Sequence, residues 1–161
     1  MIGGLALIAA ALAMSSADIP PLLVRNVSVS VPVGLYVRAI AAPAEPGHLV
    51  AFRTPPGAAA YVAAYLPFHD AHPLLKPVLA VAGDRVCLEN AGYTLNGTWF
   101  APTATHDPHG RPMPVWRGCR RLAAGELFVF SSRTRWSFDS RHYGPIDRAD
   151  LLGVYLPLWT H

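Results

Sequence analysis

Lysine is almost missing from this chain: of 161 residues only Lys76 is a lysine, beside twelve arginines. Charge of either sign is scarce too, at 14% of residues, and there are two cysteines. Each shortage excludes something. The arginines are dispersed and only Arg120 and Arg121 are adjacent, so a net charge of +3 has neither a basic stripe nor a basic helix with which to grip nucleic acid. Neither cysteine belongs to a Cys-x-x-Cys pair, which removes the usual redox and zinc motifs. No Gly-x-Ser-x-Gly elbow is present, which weighs against a triad of the α/β-hydrolase kind, although His142 lies close to Asp139 in sequence.

What is present suits one compact, mostly β domain. Hydrophobic residues make up 52% of the chain, enough for a proper core, and sixteen prolines and thirteen glycines are scattered through it. That distribution breaks long helices and favours short strands joined by turns. Alternation of Val27, Val29 and Val31 with Asn26, Ser28 and Ser30 predicts a strand that ends at Pro32 and Gly34. Further strands are expected at 48–53, 77–82, 85–89, 93–95, 98–101, 127–131 and 152–157, with Asn96-Gly97 as a two-residue hairpin turn. The segment 57–66 is the one convincing helix, and 101–117 reads as a long excursion between strands.

The opening run from Ile2 to Met14 is apolar throughout, about 20 Å if helical, against a hydrocarbon core of about 30 Å. It fits the core of an export signal, and Ser15-Ser16-Ala17 offers small residues for cleavage. Residues 1–23 are therefore an N-terminal anchor or signal segment, retained or cleaved, and 24–161 the domain it delivers across a membrane. Such a destination permits a disulfide between Cys87 and Cys119, the alternative being two buried thiols. Two His-x-x-His pairs, His69 with His72 and His106 with His109, lie among prolines in loops without the regular geometry of a metal site.

The lone lysine sits in an apolar setting, Leu74-Leu75-Lys76-Pro77-Val78. Burial drives a lysine toward the neutral amine, which arginine cannot become, so Lys76 is a candidate general base for a serine nucleophile. A fall of its pKa from about 10.4 toward 7 costs the ammonium roughly 4 kcal/mol, which apolar burial can supply. Ser30, at the expected strand-to-turn junction, is the candidate nucleophile, with its own backbone N–H and the Ser28 hydroxyl as donors to a developing oxyanion. Asp139 and Arg141 flank Ser140 and are placed to pair. The competing readings are a snorkelling lysine, a solvent-facing strand edge and a surface turn with a weak ion pair.

Ser30-Val31-Pro32-Val33-Gly34-Leu35-Tyr36, then Leu74-Leu75-Lys76 with Gly83-Asp84-Arg85-Val86, then Ser137-Phe138-Asp139-Ser140-Arg141 with Tyr143-Gly144 occur in that order. Together they resemble the three boxes of the type I signal peptidases, and Ser-x-Pro-x-Gly-Leu-Tyr resembles the TraF branch, the conjugative-transfer pilin peptidases. Val31, Pro77 and Ala82 depart from commoner family residues at positions that touch no reacting atom. The resemblance implies a signal-peptidase-like antiparallel β domain with one short helix and a Ser30–Lys76 dyad supported by Asp139, Arg141 and Ser28. It implies a pilin-like exported precursor as substrate and residence at the inner membrane with the catalytic domain on the periplasmic side; no cofactor is expected, and the dispersed arginines speak against nucleic acid. An inactive exported assembly or binding module of the same fold is the alternative, against which stands the presence of both Ser30 and Lys76.

Overall fold

The computed structural model describes residues 19–66, 73–90 and 92–161. The apolar run 2–14 and the His69–His72 pair lie outside them. Among the described residues the fold is mostly antiparallel β. The strands are β1 (Leu23–Asn26), β2 (Gly34–Ala39), β3 (Leu49–Phe52), β4 (Leu74–Val81), β5 (Arg85–Glu89), β6 (Gly92–Leu95), β7 (Thr98–Pro102), β8 (Cys119–Arg121), β9 (Glu126–Val129), β10 (Ile146–Asp147) and β11 (Leu151–Thr160). They form a seven-stranded sheet in the order β1-β2-β11-β3-β4-β9-β10 and a four-stranded sheet in the order β7-β6-β5-β8.

The expected helix is α1 (Pro56–Tyr65), where Pro56 occupies the first turn, a position at which its missing N–H costs nothing. A second helix, α2 (Ser140–Tyr143), is short and was not expected from sequence; Asp139 caps it, its side chain accepting from Arg141 N. Such a four-residue turn has no apolar period to betray it. The Asn96-Gly97 turn is as anticipated, with φ of 51° and 86° at its two residues.

Ala58, Tyr61 and Val62 turn α1 onto the larger sheet, packing with Phe52, Leu127, Val129 and Ile146 in the main core. A second cluster, Val24, Val31, Tyr36, Ala51, Leu75 and Tyr155, packs the segment between β1 and β2 with side chains of β1, β2, β11, β3 and β4. A third, Ala80, Val86, Leu122 and Phe128, ties the two sheets together.

The valine alternation fails as a strand predictor between Val27 and Val33. Val27 and Val29 are exposed while Val31 is buried, and the backbone there forms turns instead of ladder. Asn26 explains the change. Its Oδ1 accepts from Ser28 N at 3.1 Å, and its Nδ2 donates to Ser28 O at 2.7 Å, to Pro32 O at 2.9 Å and to Val31 O at 3.1 Å. A side chain thus supplies the hydrogen bonds that a neighbouring strand would have supplied. Tyr36 adds an O–H bond to Pro32 O at 2.6 Å. Gly34 then opens β2 where a Cβ would lie 2.1 Å from the Trp159 carbonyl oxygen.

β4 begins earlier than the sequence suggests and carries Lys76 within it. Residues 74–77 pair with β3, whereas Val78, Ala80 and Val81 pair with β9. Pro77, which has no N–H to give, falls at this handover, where a central strand tolerates it. In the smaller sheet Cys87 of β5 and Cys119 of β8 are register partners joined by a disulfide.

Asn26→Ala removes four side-chain bonds and takes this donor from the buried Val31 carbonyl, while Pro32 O keeps the Tyr36 hydroxyl. The expected loss is about 1–3 kcal/mol, read as a lower denaturation midpoint at unchanged m-value; an unaltered midpoint would show that the turn holds without it.

Candidate active site

Three segments distant in sequence converge on one groove. The turn after β1 brings Ser28 and Ser30, β4 brings Lys76, and the segment leading into α2 brings Ser137 and Phe138, with Asp139 and Arg141 buried outside the lining. Ser30 is 3% exposed and Lys76 4%. Lys76 Nζ donates to Ser30 Oγ at 2.7 Å and to its neighbour's carbonyl, Leu75 O, at 3.2 Å. Val50 faces Lys76 in the ladder and Leu75 belongs to the apolar cluster beneath it. Burial pushes the amine down from the usual 10.5 to about 8, with the Asp139 charge pulling the other way. A neutral amine so placed offers its lone pair to the Ser30 hydroxyl.

Ser28 lies on a turn with Ser30, not on a shared strand face. Its Oγ is 2.8 Å from Ser30 Oγ and accepts from Ser30 N at 3.3 Å. The three polar groups therefore form one chain, Lys76 to Ser30 to Ser28.

Asp139 and Arg141 are not at the surface. They are 0% and 2% exposed and pair through two bonds, Nε to Oδ1 at 2.9 Å and Nη2 to Oδ2 at 3.1 Å. Arg141 also donates to Ser137 O at 3.1 Å, and its guanidinium lies 4.8 Å from the centre of the Phe130 ring. Burying both charges costs hydration, which the bidentate geometry and the further bond to a main-chain carbonyl offset while holding the pair rigid. Its link to the serine turn runs through Ser131, which the sequence marks only as a strand end. Ser131 N donates to Asp139 Oδ2 at 3.3 Å, and its hydroxyl donates to the Ser30 carbonyl.

His142 takes no part. Its ring nitrogens face Pro114 O at 2.8 Å and Ser137 O at 3.1 Å, and burial lowers its basicity despite those carbonyls. A triad through this histidine is thereby removed. Of the other pair, His106 Nδ1 contacts Thr105 Oγ1 at 3.0 Å, while the His109 backbone N–H bonds Asp107 at 2.8 Å. Among the described residues, the one grouping of three possible metal ligands is Cys87, Glu89 and Cys119, whose sulfurs are already joined to each other.

A groove of about 900 Å³ opens beside Ser30 and Lys76, lined also by Ser28, Leu74, Tyr61 and Phe138 among others. One wall comes from the excursion between β7 and β8, which sequence reading left without a role. Asp107 docks that wall on α1, accepting from Tyr61 Oη at 2.9 Å and from Arg111 Nε at 2.5 Å. Burial would raise this carboxyl, but the donors from Arg111, Tyr61 and His109 outweigh it and hold it well below the usual carboxylate range.

The chain matches the family model described as signal peptidase, peptidase S26, over residues 1–159. It is 33% identical over 145 residues to the plasmid transfer protein TraF of Escherichia coli, covering 84% of this chain and 81% of that one. It is likewise 33% identical over 148 residues to the conjugal transfer protein TraF of Agrobacterium fabrum, with the same coverage of both chains. A signal peptidase I from Enterococcus faecalis aligns in three dimensions over 72% of this chain and 98% of its own, with a TM-score of 0.43 and 16% identity.

The depressed basicity of Lys76 has a thermodynamic sign. With a folded value near 8 against an unfolded 10.5, the unfolded chain binds more protons between those limits, so stability contributed by this site rises with pH across that window. Below about 8 the penalty is constant at about 3 kcal/mol. Lys76→Met should abolish the dependence and denature at higher urea concentration near pH 7; parallel stability profiles for the two proteins between pH 7 and 10.5 would show the amine to be ordinary.

Proposed function

The chain belongs to the signal peptidase family, peptidase S26, and from that premise we propose that it is a membrane-associated serine endopeptidase working through a Ser30–Lys76 dyad. The observation that carries the reading is the 2.7 Å contact between a buried amine of lowered basicity and a buried hydroxyl. With the amine near 8, about a tenth of the molecules carry it neutral at pH 7.

In the acylation step neutral Lys76 takes the proton of Ser30 as Oγ attacks the carbonyl carbon of the scissile bond. The Ser30 N–H and the Ser28 hydroxyl, both within this hydrogen-bonded chain, are the donors available to the oxyanion. Collapse expels the amine product, which leaves with the proton held on Lys76. The ester on Ser30 then yields to water, or to another amine, deprotonated by the same lysine. Asp139 and Arg141 remain paired throughout and act by support.

The substrate on this reading is a precursor protein with small residues before its cleaved bond, such as an exported pilin subunit, and the relatives' names, plasmid transfer and conjugal transfer proteins, support a place in a conjugation system. The inner membrane with the catalytic domain on the periplasmic side is the proposed residence. It is supported by the Cys87–Cys119 bond, which persists in oxidising compartments, and by exposed apolar side chains. Leu22, Leu23, Leu156, Leu158 and Trp159 are all more than a third exposed, around the strand that follows the apolar run 2–14. That arrangement suits a lipid surface. Among the described residues no helix is long and apolar enough to cross a membrane.

Ser30→Ala and Lys76→Arg should each reduce precursor cleavage at least a thousandfold while circular dichroism stays that of the parent. Arginine keeps the charge and loses the ability to become neutral. Normal processing by either variant overturns the assignment. The parent's kcat/KM should climb tenfold per pH unit below about 8 and level off above it; a profile flat between pH 6 and 9 assigns the base elsewhere.

A further inference from the structure

Among the described residues the turn carrying Ser30 pairs with no strand that could orient it, since the ladder stops at Asn26 and resumes at Gly34. Asn26 organises the turn internally but does not fix it relative to Lys76. Two consecutive residues after β9 do. Phe130 N donates to Pro77 O at 3.0 Å, which holds the strand carrying the lysine one residue from it. Ser131 Oγ donates to the Ser30 carbonyl, across a sequence separation of 101, which holds the turn carrying the serine.

Both residues rest on the buried ion pair: the Phe130 ring under Arg141 at 4.8 Å, and Ser131 N on Asp139 Oδ2 at 3.3 Å. Ser131 is 2% exposed, and its hydroxyl is used on both sides, also accepting from Arg133 N at 3.3 Å. We infer that Ser131 is a positioning residue: it transmits the fixed geometry of the Asp139–Arg141 pair to the Ser30 peptide and so sets the hydroxyl at bonding distance from Lys76. Loss of its hydroxyl leaves the Ser30 carbonyl buried without this donor and lets the turn shift by fractions of an ångström. A misplacement of that order costs on the order of tenfold to a hundredfold in rate.

The kinetic part of this inference rests on the proposed peptidase activity; the tether itself does not. Ser131→Ala in the full chain should lower kcat for precursor cleavage ten- to a hundredfold with KM within twofold and the acid limb still near pH 8. Amide exchange in residues 28–33, followed by mass spectrometry, should quicken at least tenfold while the β3 and β9 amides hold their rates. Ser131→Thr, which keeps the hydroxyl, should recover most of kcat. A Ser131→Ala kcat within threefold of the parent, equal losses in the alanine and threonine variants, or unchanged exchange in 28–33 overturns the inference. If the parent itself cleaves no precursor, the peptidase reading fails, and the exchange measurement alone decides the tether.

Discussion

The candidate site depends on keeping one amine out of water, at a cost to the stability of the fold. An ammonium buried among Val50, Leu75 and the serine turn loses its hydration and, among the described residues, gains no carboxylate at contact distance; Asp139 acts on it from a distance and pulls against its deprotonation. The consequence is a base whose strength is set by what surrounds it. Arginine, used for every other cation in the chain, has no neutral form to yield in the same place. The scarcity of lysine is thus chemical information, because the one that remains sits where only lysine can respond to burial.

In the proposed dyad such a base needs its partner delivered with the same accuracy, and here the fold assigns separate tasks to separate parts. The larger sheet fixes β4 and therefore Lys76. Asn26 and Tyr36 give the serine turn its shape. The buried Asp139–Arg141 pair joins the two through the residues that follow β9. The smaller sheet stands away from the chemistry, yet its disulfide closes the end of the excursion whose Asp107 is docked against α1, so one wall of the groove is held at both ends.

Legibility in the sequence followed the range of the interactions. The strands at β3, β5, β6, β7 and β9, the Asn96-Gly97 turn and α1 were all readable within a residue or two, because each is written in local periodicity or turn chemistry, whereas β11 runs three residues past its expected end. The serine segment was misread as strand because alternating valines imitate a pleat, and the side chain that overrides them, Asn26, looks like any polar strand residue until its four bonds are seen. Ser30, Lys76, Asp139 and Arg141 could be picked out by residue type and by family resemblance, and the fold brings all four to one place. Ser131 could not, since its partner lies 101 residues away and nothing in Phe130-Ser131-Ser132 signals it. Burial of the ion pair was invisible for the same reason: an Asp-x-Arg in a short turn reads as solvated surface until tertiary packing covers it.

Pro77 has a further effect as an imino acid at the junction between two ladders. Sliding β4 by a single residue would move the ring nitrogen, which cannot donate, into a position where a partner carbonyl needs a proton. The same slip would also rotate the lysine to the opposite face of the sheet. The alternative alignment is thus penalised twice. An amino acid usually regarded as a breaker of sheets here acts as a detent, protecting the orientation of the residue immediately before it.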